Sequence, residues 1–233
     1  MAASFFQDVF AACGAPPPSA ADDGRAHHSP LAPPRAQCYI KNDGPRPFAG
    51  TVVVEQIEMT TGIVTTVYRD GVTMAAGAGT MERFDCAAPP HNGTRHILRA
   101  KVTAGTGPPG NGALGTVLSE NVMLFAPPKD LVLPKAVVTF TIEVVPGARP
   151  EENAEGDAVV RVRLRTDRPA LYVVLTSQAA GRFERNALLL LPTPDGQAVE
   201  FIPWGVPDIP LLRATLRVEH LAQHCCPVGG PAA

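Results

Sequence analysis

No run in this chain is apolar for long enough to cross a membrane as a helix, because the longest candidate, ALLLLP at 187–192, stops at a proline. A one-signed charge is missing too. The 20 basic and 22 acidic groups leave a net charge of −2, so nothing builds the potential that nucleic acid or an anionic membrane would require. Cysteine is sparse: Cys13, Cys38, Cys86, Cys225 and Cys226 are too few and too scattered for a disulfide framework or a zinc site. Cys38 and Cys86 could bridge two strands, but two buried thiols are the expectation. There is no G-x-S-x-G, no Walker sequence, no G-x-G-x-x-G and no H-E-x-x-H, hence no nucleophile with an identifiable base and no cofactor or metal implied. The start, MAASFFQDVFAACGA, has no basic n-region and carries Gln7 and Asp8 where an apolar core should run, so a cleaved signal peptide is not expected.

What the chain does have is proline and glycine, 25 and 21 of them, clustered between apolar runs without a period. That spacing suits many short strands joined by turns and argues against collagen, coiled coil or long helices. With 233 residues, 45% of them hydrophobic, the chain can bury two ordinary cores.

Phe5, Phe6, Val9 and Phe10 recur at helical spacing, which predicts a short amphipathic N-terminal helix in need of a partner surface. Residues 15–35, rich in Ala, Pro, Asp and His, read as a disordered insertion, and the adjacent His27 and His28 read as solvated loop. A first β-rich region spans 36–126. QCYIK is stopped by the turn cluster Asn42, Asp43, Gly44 and Pro45; TVVVEQIEMT follows, with Glu55 breaking the alternation at an edge or a bulge. IVTTVYRD returns as a hairpin arm, and further strands are expected at 81–86, 96–102 and 117–125.

The second region, 131–224, begins after the Pro127-Pro128 break. Val138, Phe140, Ile142 and Val144 share one face, and Val160, Val162 and Leu164 oppose Arg161, Arg163 and Arg165. More strands are expected at 171–175, 187–191, 199–202 and 213–219, the last with Ala214, Leu216 and Val218 facing inward. The reading is all-β: two tandem immunoglobulin-like β-sandwiches with a short N-terminal helix.

Possible chemistry is thin. The arginines at 161, 163 and 165 read as a solvated face that Glu143, Asp157, Asp167 and Glu219 can neutralise. His96 has no acid beside it in sequence and reads as a surface or interface histidine. Glu82, Asp85, Glu120 and Glu200 fall on separate segments, unlike the fixed carboxylate pair that glycoside hydrolysis needs. Asn92-Gly93-Thr94 is a glycosylation sequon in a predicted loop. Trp204, the only tryptophan, stands at a strand end, where it can stack on a sugar ring or pack on a core or a neighbouring domain; packing is expected.

GRFERNALLLLPTPDGQAVEFIPW, residues 181–204, resembles the C-terminal immunoglobulin-like domain of β-mannosidases of glycoside hydrolase family 2. Gly181, Phe183 and Asn186 match its G-x-F-x-x-N turn, and Pro203 and Trp204 its closing pair. LLRATLRVEHL is similar to the family's last strand, and LSENVMLFAPPKDLVLPKAVVT to the connection between its two immunoglobulin-like domains. AQCYIKNDGPRPFAGTVVVEQ is similar to the opening of the earlier domain, and FFQDVF to the segment that leaves the catalytic barrel.

The resemblance implies a retaining exo-enzyme acting on terminal β-D-mannose, lysosomal, vacuolar or secreted. Its two catalytic glutamates lie in a (β/α)8 barrel with no counterpart in these residues, so no catalytic residue carries over. The implied role is therefore a scaffold whose partner is the barrel of a parent enzyme or another protein surface, with a mannoside or N-glycan as the associated sugar. The start at Met1 beside a barrel-exit-like segment is what a truncated reading of a longer chain gives. The competing reading is an independent carbohydrate- or protein-binding module.

Overall fold

A computed structural model describes residues 8–14, 35–77, 80–87, 93–105, 116–146 and 158–225. They are almost entirely β, in four small antiparallel sheets. The chain divides into an N-terminal unit of residues 2–58 and 63–127 and a C-terminal unit of residues 128–233 together with Met59–Gly62.

The N-terminal unit has strands β1 (Val9–Gly14), β2 (Arg35–Asn42), β3 (Phe48–Glu58), β4 (Val64–Met74), β5 (Thr80–Ala87), β6 (His96–Ala104) and β7 (Val117–Leu124). They pair as β1-β2-β5 and as β4-β3-β6-β7. Apolar side chains on one side of each sheet give it a dry face, and the two dry faces meet. Val9, Ala11, Cys38 and Ile40 from the first sheet pack with Val52, Val54, Leu98, Ala100 and Val102 from the second. Burying each Val, Leu or Ile side chain contributes roughly 1.5–3 kcal/mol.

The expected N-terminal helix is not formed over its second half. Val9–Gly14 is strand β1, antiparallel to β2 with Val9 opposite Asn42 and Gly14 opposite Gln37. Val9 and Ala11 enter the core, while Phe10 lies edge-on to Tyr39. A short apolar run fits either period, and an available sheet edge decides it. On its other side β1 is held by β7: Ala11 N–H donates to Ser119 Oγ at 3.3 Å, and Asn121 Nδ2 donates to Ala11 O at 2.7 Å. The other half of that expectation, with Phe5 and Phe6, lies outside the described residues, as do His27, His28, Asn92 and Cys226.

Pairing β1 with β2 sets Cys13 directly opposite Cys38, and the two form a disulfide. This corrects the expectation that Cys38 and Cys86 are two buried thiols: Cys38 is bridged, and its partner is Cys13. Cys86 is a free, buried thiol in β5, opposite Ala36, and burial pushes its pKa up.

The C-terminal unit has β8 (Val138–Pro146), β9 (Ala158–Thr166), β10 (Ala170–Thr176), β11 (Gly181–Phe183), β12 (Leu188–Leu190), β13 (Gln197–Pro203), helix α1 (Ile209–Thr215) and β14 (Arg217–Glu219). Its sheets are ordered β11-β13-β9-β8 and β12-β10-β14. Val162, Leu164 and Val199 of the first pack against Ala170, Val173, Leu175, Leu188 and Leu190 of the second. The β8–β9 hairpin runs in unbroken register from Val138 opposite Thr166 to Pro146 opposite Ala158. β8 is an edge strand, and although Phe140 and Val144 pair with core residues Leu164 and Val160, they stay 37% and 42% exposed.

The expected strand at 213–219 is half helix. Asp208 caps α1 by accepting the Leu211 N–H at 2.9 Å, Pro210 occupies the first turn, and Leu212 is buried. Only Arg217–Glu219 is extended, beside β10. Leu, Arg and Ala favour the helix once it is capped. This is the only α-helix among the described residues, and it lies near the C-terminal end.

The disulfide joins residues 25 apart, which corresponds to about 3.5 kcal/mol of loop-closure stabilisation. Reducing agent, or Cys13→Ser, is expected to lower the urea-unfolding free energy by about that amount. Cys86→Ala should leave the sensitivity to reductant intact, and the same titrations check it.

Candidate functional site

The turn between β11 and β12 is built on Gly181, Phe183 and Asn186. Gly181 opens it where β11 meets β13. A Cβ there would lie 2.6 Å from the Ile202 carbonyl oxygen and 2.5 Å from Phe201 Cζ, so only glycine fits without movement. Phe183 packs on Phe201 with ring centroids 5.2 Å apart, beside Val160, Ala179 and Leu212.

Asn186 acts as a strand partner. Its Oδ1 accepts the Leu175 N–H at 2.7 Å and its Nδ2 donates to the Leu175 carbonyl at 2.9 Å. Across β10, Leu175 pairs with Val218, while β12 reaches back only as far as Val173. The carboxamide therefore supplies the hydrogen bonds a missing strand residue would have made. Ala187 next to it takes a left-handed φ of 57°, with its N–H on Asn186 Oδ1 at 3.2 Å, and this turns the chain into the buried Leu188–Leu190.

Pro203 pairs with Gly181, and Trp204 N–H donates to Ala180 O at 3.2 Å. The Trp204 backbone is thus fixed, but its indole is 73% exposed and does not cap the core.

The carboxylates weighed for catalysis are not gathered. Glu82 and Asp85 are exposed on β5 opposite Ile40 and Gln37, Glu120 lies on β7 opposite Lys101, and Glu200 lies on β13 opposite Arg161. The sheet does bring Glu58 opposite His96 in the β3–β6 ladder, a neighbour the linear sequence conceals. Among the described residues no group of three or more His, Cys, Asp or Glu converges as metal ligands would.

Among the described residues the arginine ladder finds one of its expected acids, Glu143, while Asp157 lies outside them. Arg163 Nε and Nη2 reach Glu143 at 2.8 and 3.2 Å, and Nη1 donates to Asp195 O at 3.1 Å. The hydrogen bond from Arg163 holds the Glu143 carboxyl below its ordinary range. Asp167 is used elsewhere, accepting Val137 N–H at 2.7 Å.

A second charge group sits deeper. The β3–β4 ladder slips between Val54 and Glu55, and the bulge lies in an interior strand, not at an edge. Glu55 receives Arg99 Nη2 at 2.7 Å and Lys101 Nζ at 2.8 Å. Burial alone would raise its pKa, but the Lys101 hydrogen bond and the charges of Arg99 and Lys101 prevail and hold the carboxyl below 4.5. All three charges are used against one another, which marks a structural cluster.

With this geometry in hand, the turn and its flanking strands can be placed. The family model Ig_mannosidase, an Ig-fold domain, matches residues 138–224.

The β-D-mannosidase of Dictyoglomus thermophilum superposes on 96% of this chain with a TM-score of 0.65 at 15% identity. The exo-chitosanase CsxA of Amycolatopsis orientalis superposes on 82% with a TM-score of 0.50 at 14% identity. At these identities the likeness is one of fold. The chain spans 22% of the mannosidase and 24% of the chitosanase. No curated protein matches it at a significant level.

Asn186→Ala leaves the Leu175 backbone groups without partners and is expected to cost about 2–3 kcal/mol in chemical denaturation. Asn186→Asp keeps the acceptor, loses the donor and should fall between the two.

Because the folded-state pKa of Glu55 is depressed, its stabilisation is complete above the ordinary 4.5 and is lost as pH falls through the lower folded value. Glu55→Gln should cost roughly 1.5–3 kcal/mol at neutral pH and flatten this acid limb, as read from urea midpoints between neutral and acid pH.

Proposed function

We propose that this chain is a non-catalytic accessory region of a larger β-mannosidase-like glycoside hydrolase, whose parent enzyme removes terminal β-D-mannose. One observation carries the reading. A mannosidase-associated Ig-fold domain stands at 138–224 in a chain that follows the fold of a β-D-mannosidase almost end to end while spanning 22% of it. In this reading the N-terminal unit is a second immunoglobulin-like sandwich, and the two domains span 36–126 and 131–224.

Their task is support. Exposed apolar side chains on the β8 edge, Phe140 and Val144 with Val137 just before them, suit contact with a neighbouring catalytic barrel. A barrel loop displaced by about 1 Å can lose about 100-fold in rate, so a rigid β flank has a catalytic consequence without touching substrate. The Cys13–Cys38 bridge supports an oxidising compartment, whether lysosomal, vacuolar or extracellular.

The test uses an extract of cells that express this chain. An antibody raised against the chain is expected to precipitate activity on an aryl β-D-mannoside, carried by a polypeptide longer than 233 residues. The purified chain alone should show none. Turnover by the purified chain, or a precipitate free of glycosidase activity, would overturn the proposal.

A further inference from the structure

We propose that Trp204 is a stacking platform for one ring of a pyranose oligosaccharide. The indole stands 73% exposed, and Val206 beside it is 86% exposed. Few places in the C-terminal unit spend so much apolar surface on water.

The turn that carries them is held at both ends. Before it, Pro203 is paired with Gly181, and the Trp204 N–H is bound to Ala180 O. After it, Pro207 leads into Asp208, which caps α1. Two prolines and two anchored ends limit what the loop loses in freedom when a ligand settles on it.

Size selects the ligand class. The other exposed large apolar residues of 128–225, Val132, Val137, Phe140 and Val144, belong to β8 and its lead-in, and β9 separates β8 from β13. The large exposed apolar side chains at the turn are thus Trp204 and Val206, on the scale of the C–H face of a single sugar ring. Its margins are polar. Gln178 is exposed two residues before the Ala180 that anchors Trp204, and the Asp208 side chain is exposed where the turn ends. An amide and a carboxylate on residues that flank the turn, the latter with one oxygen on Leu211 N–H, are groups that hydroxyls can bond.

The site is independent of the accessory reading, because it rests on the sugar response of the isolated chain and not on a co-purifying hydrolase. Trp204 is the only tryptophan, so its fluorescence reports this position alone. Titration of the full chain with mannotriose and cellotriose should give a saturable blue shift with dissociation constants in the low millimolar range. Calorimetry should show affinity weakened about tenfold or more in Trp204→Ala and held within about threefold in Trp204→Tyr. The thermal midpoint should be unchanged in both variants, since the side chain is outside the core.

An emission that does not respond to either sugar would overturn the proposal, as would binding that survives Trp204→Ala. A blue shift that grows with protein concentration in the absence of sugar, with a dimer in sedimentation, would overturn it in favour of a protein-docking turn.

Discussion

A β-strand with one apolar face has to find a second apolar face to lie against, and in each unit that requirement is met by another sheet. β2 and β3 carry the demand in the N-terminal unit, β9 and β10 in the C-terminal one. Everything else answers a difficulty that this pairing creates. Strands of unequal length leave backbone groups and apolar edges unmatched, and side chains, a helix and a disulfide supply what the ladders do not.

Asn186 shows the principle most economically. β12 is too short to pair with all of β10, and a carboxamide takes the place of the missing peptide group at Leu175. Ser119 and Asn121 do the same for β1 at Ala11. Where no such substitute exists the surface stays open, as at Phe140 and Val144 on the β8 edge.

The parts of this arrangement legible in sequence are those whose information is local. Val138 to Val144 and Val160 to Leu164 alternate over enough residues that their faces can be assigned without knowing what covers them, and the ladder follows that assignment. Glu55 marks its bulge by interrupting a strand pattern in the same way. Val9–Gly14 is different, because its state depends on β2, which begins more than twenty residues later, and the Cys13–Cys38 bridge is hidden with it. At 213–219 the alternation of Ala214, Leu216 and Val218 is coincidental. The deciding signal, Asp208 followed by Pro210, stands upstream of the pattern and reads as a helix start. The Asn186 turn is legible only through resemblance, since no periodicity distinguishes a carboxamide that replaces a peptide from one that faces water. The exposure of Trp204 is illegible for a related reason: a strand-end tryptophan has no periodicity of its own.

Tying Gly14's neighbour to the middle of β2 also fixes what a nick would do to the molecule. The bond between Cys13 and Cys38 makes residues 13–38 a covalent ring, so a protease that cuts inside that ring opens it without separating the pieces. The N-terminal strand would remain in its sheet, and the severed chain would run as one species until a reductant divided it in two.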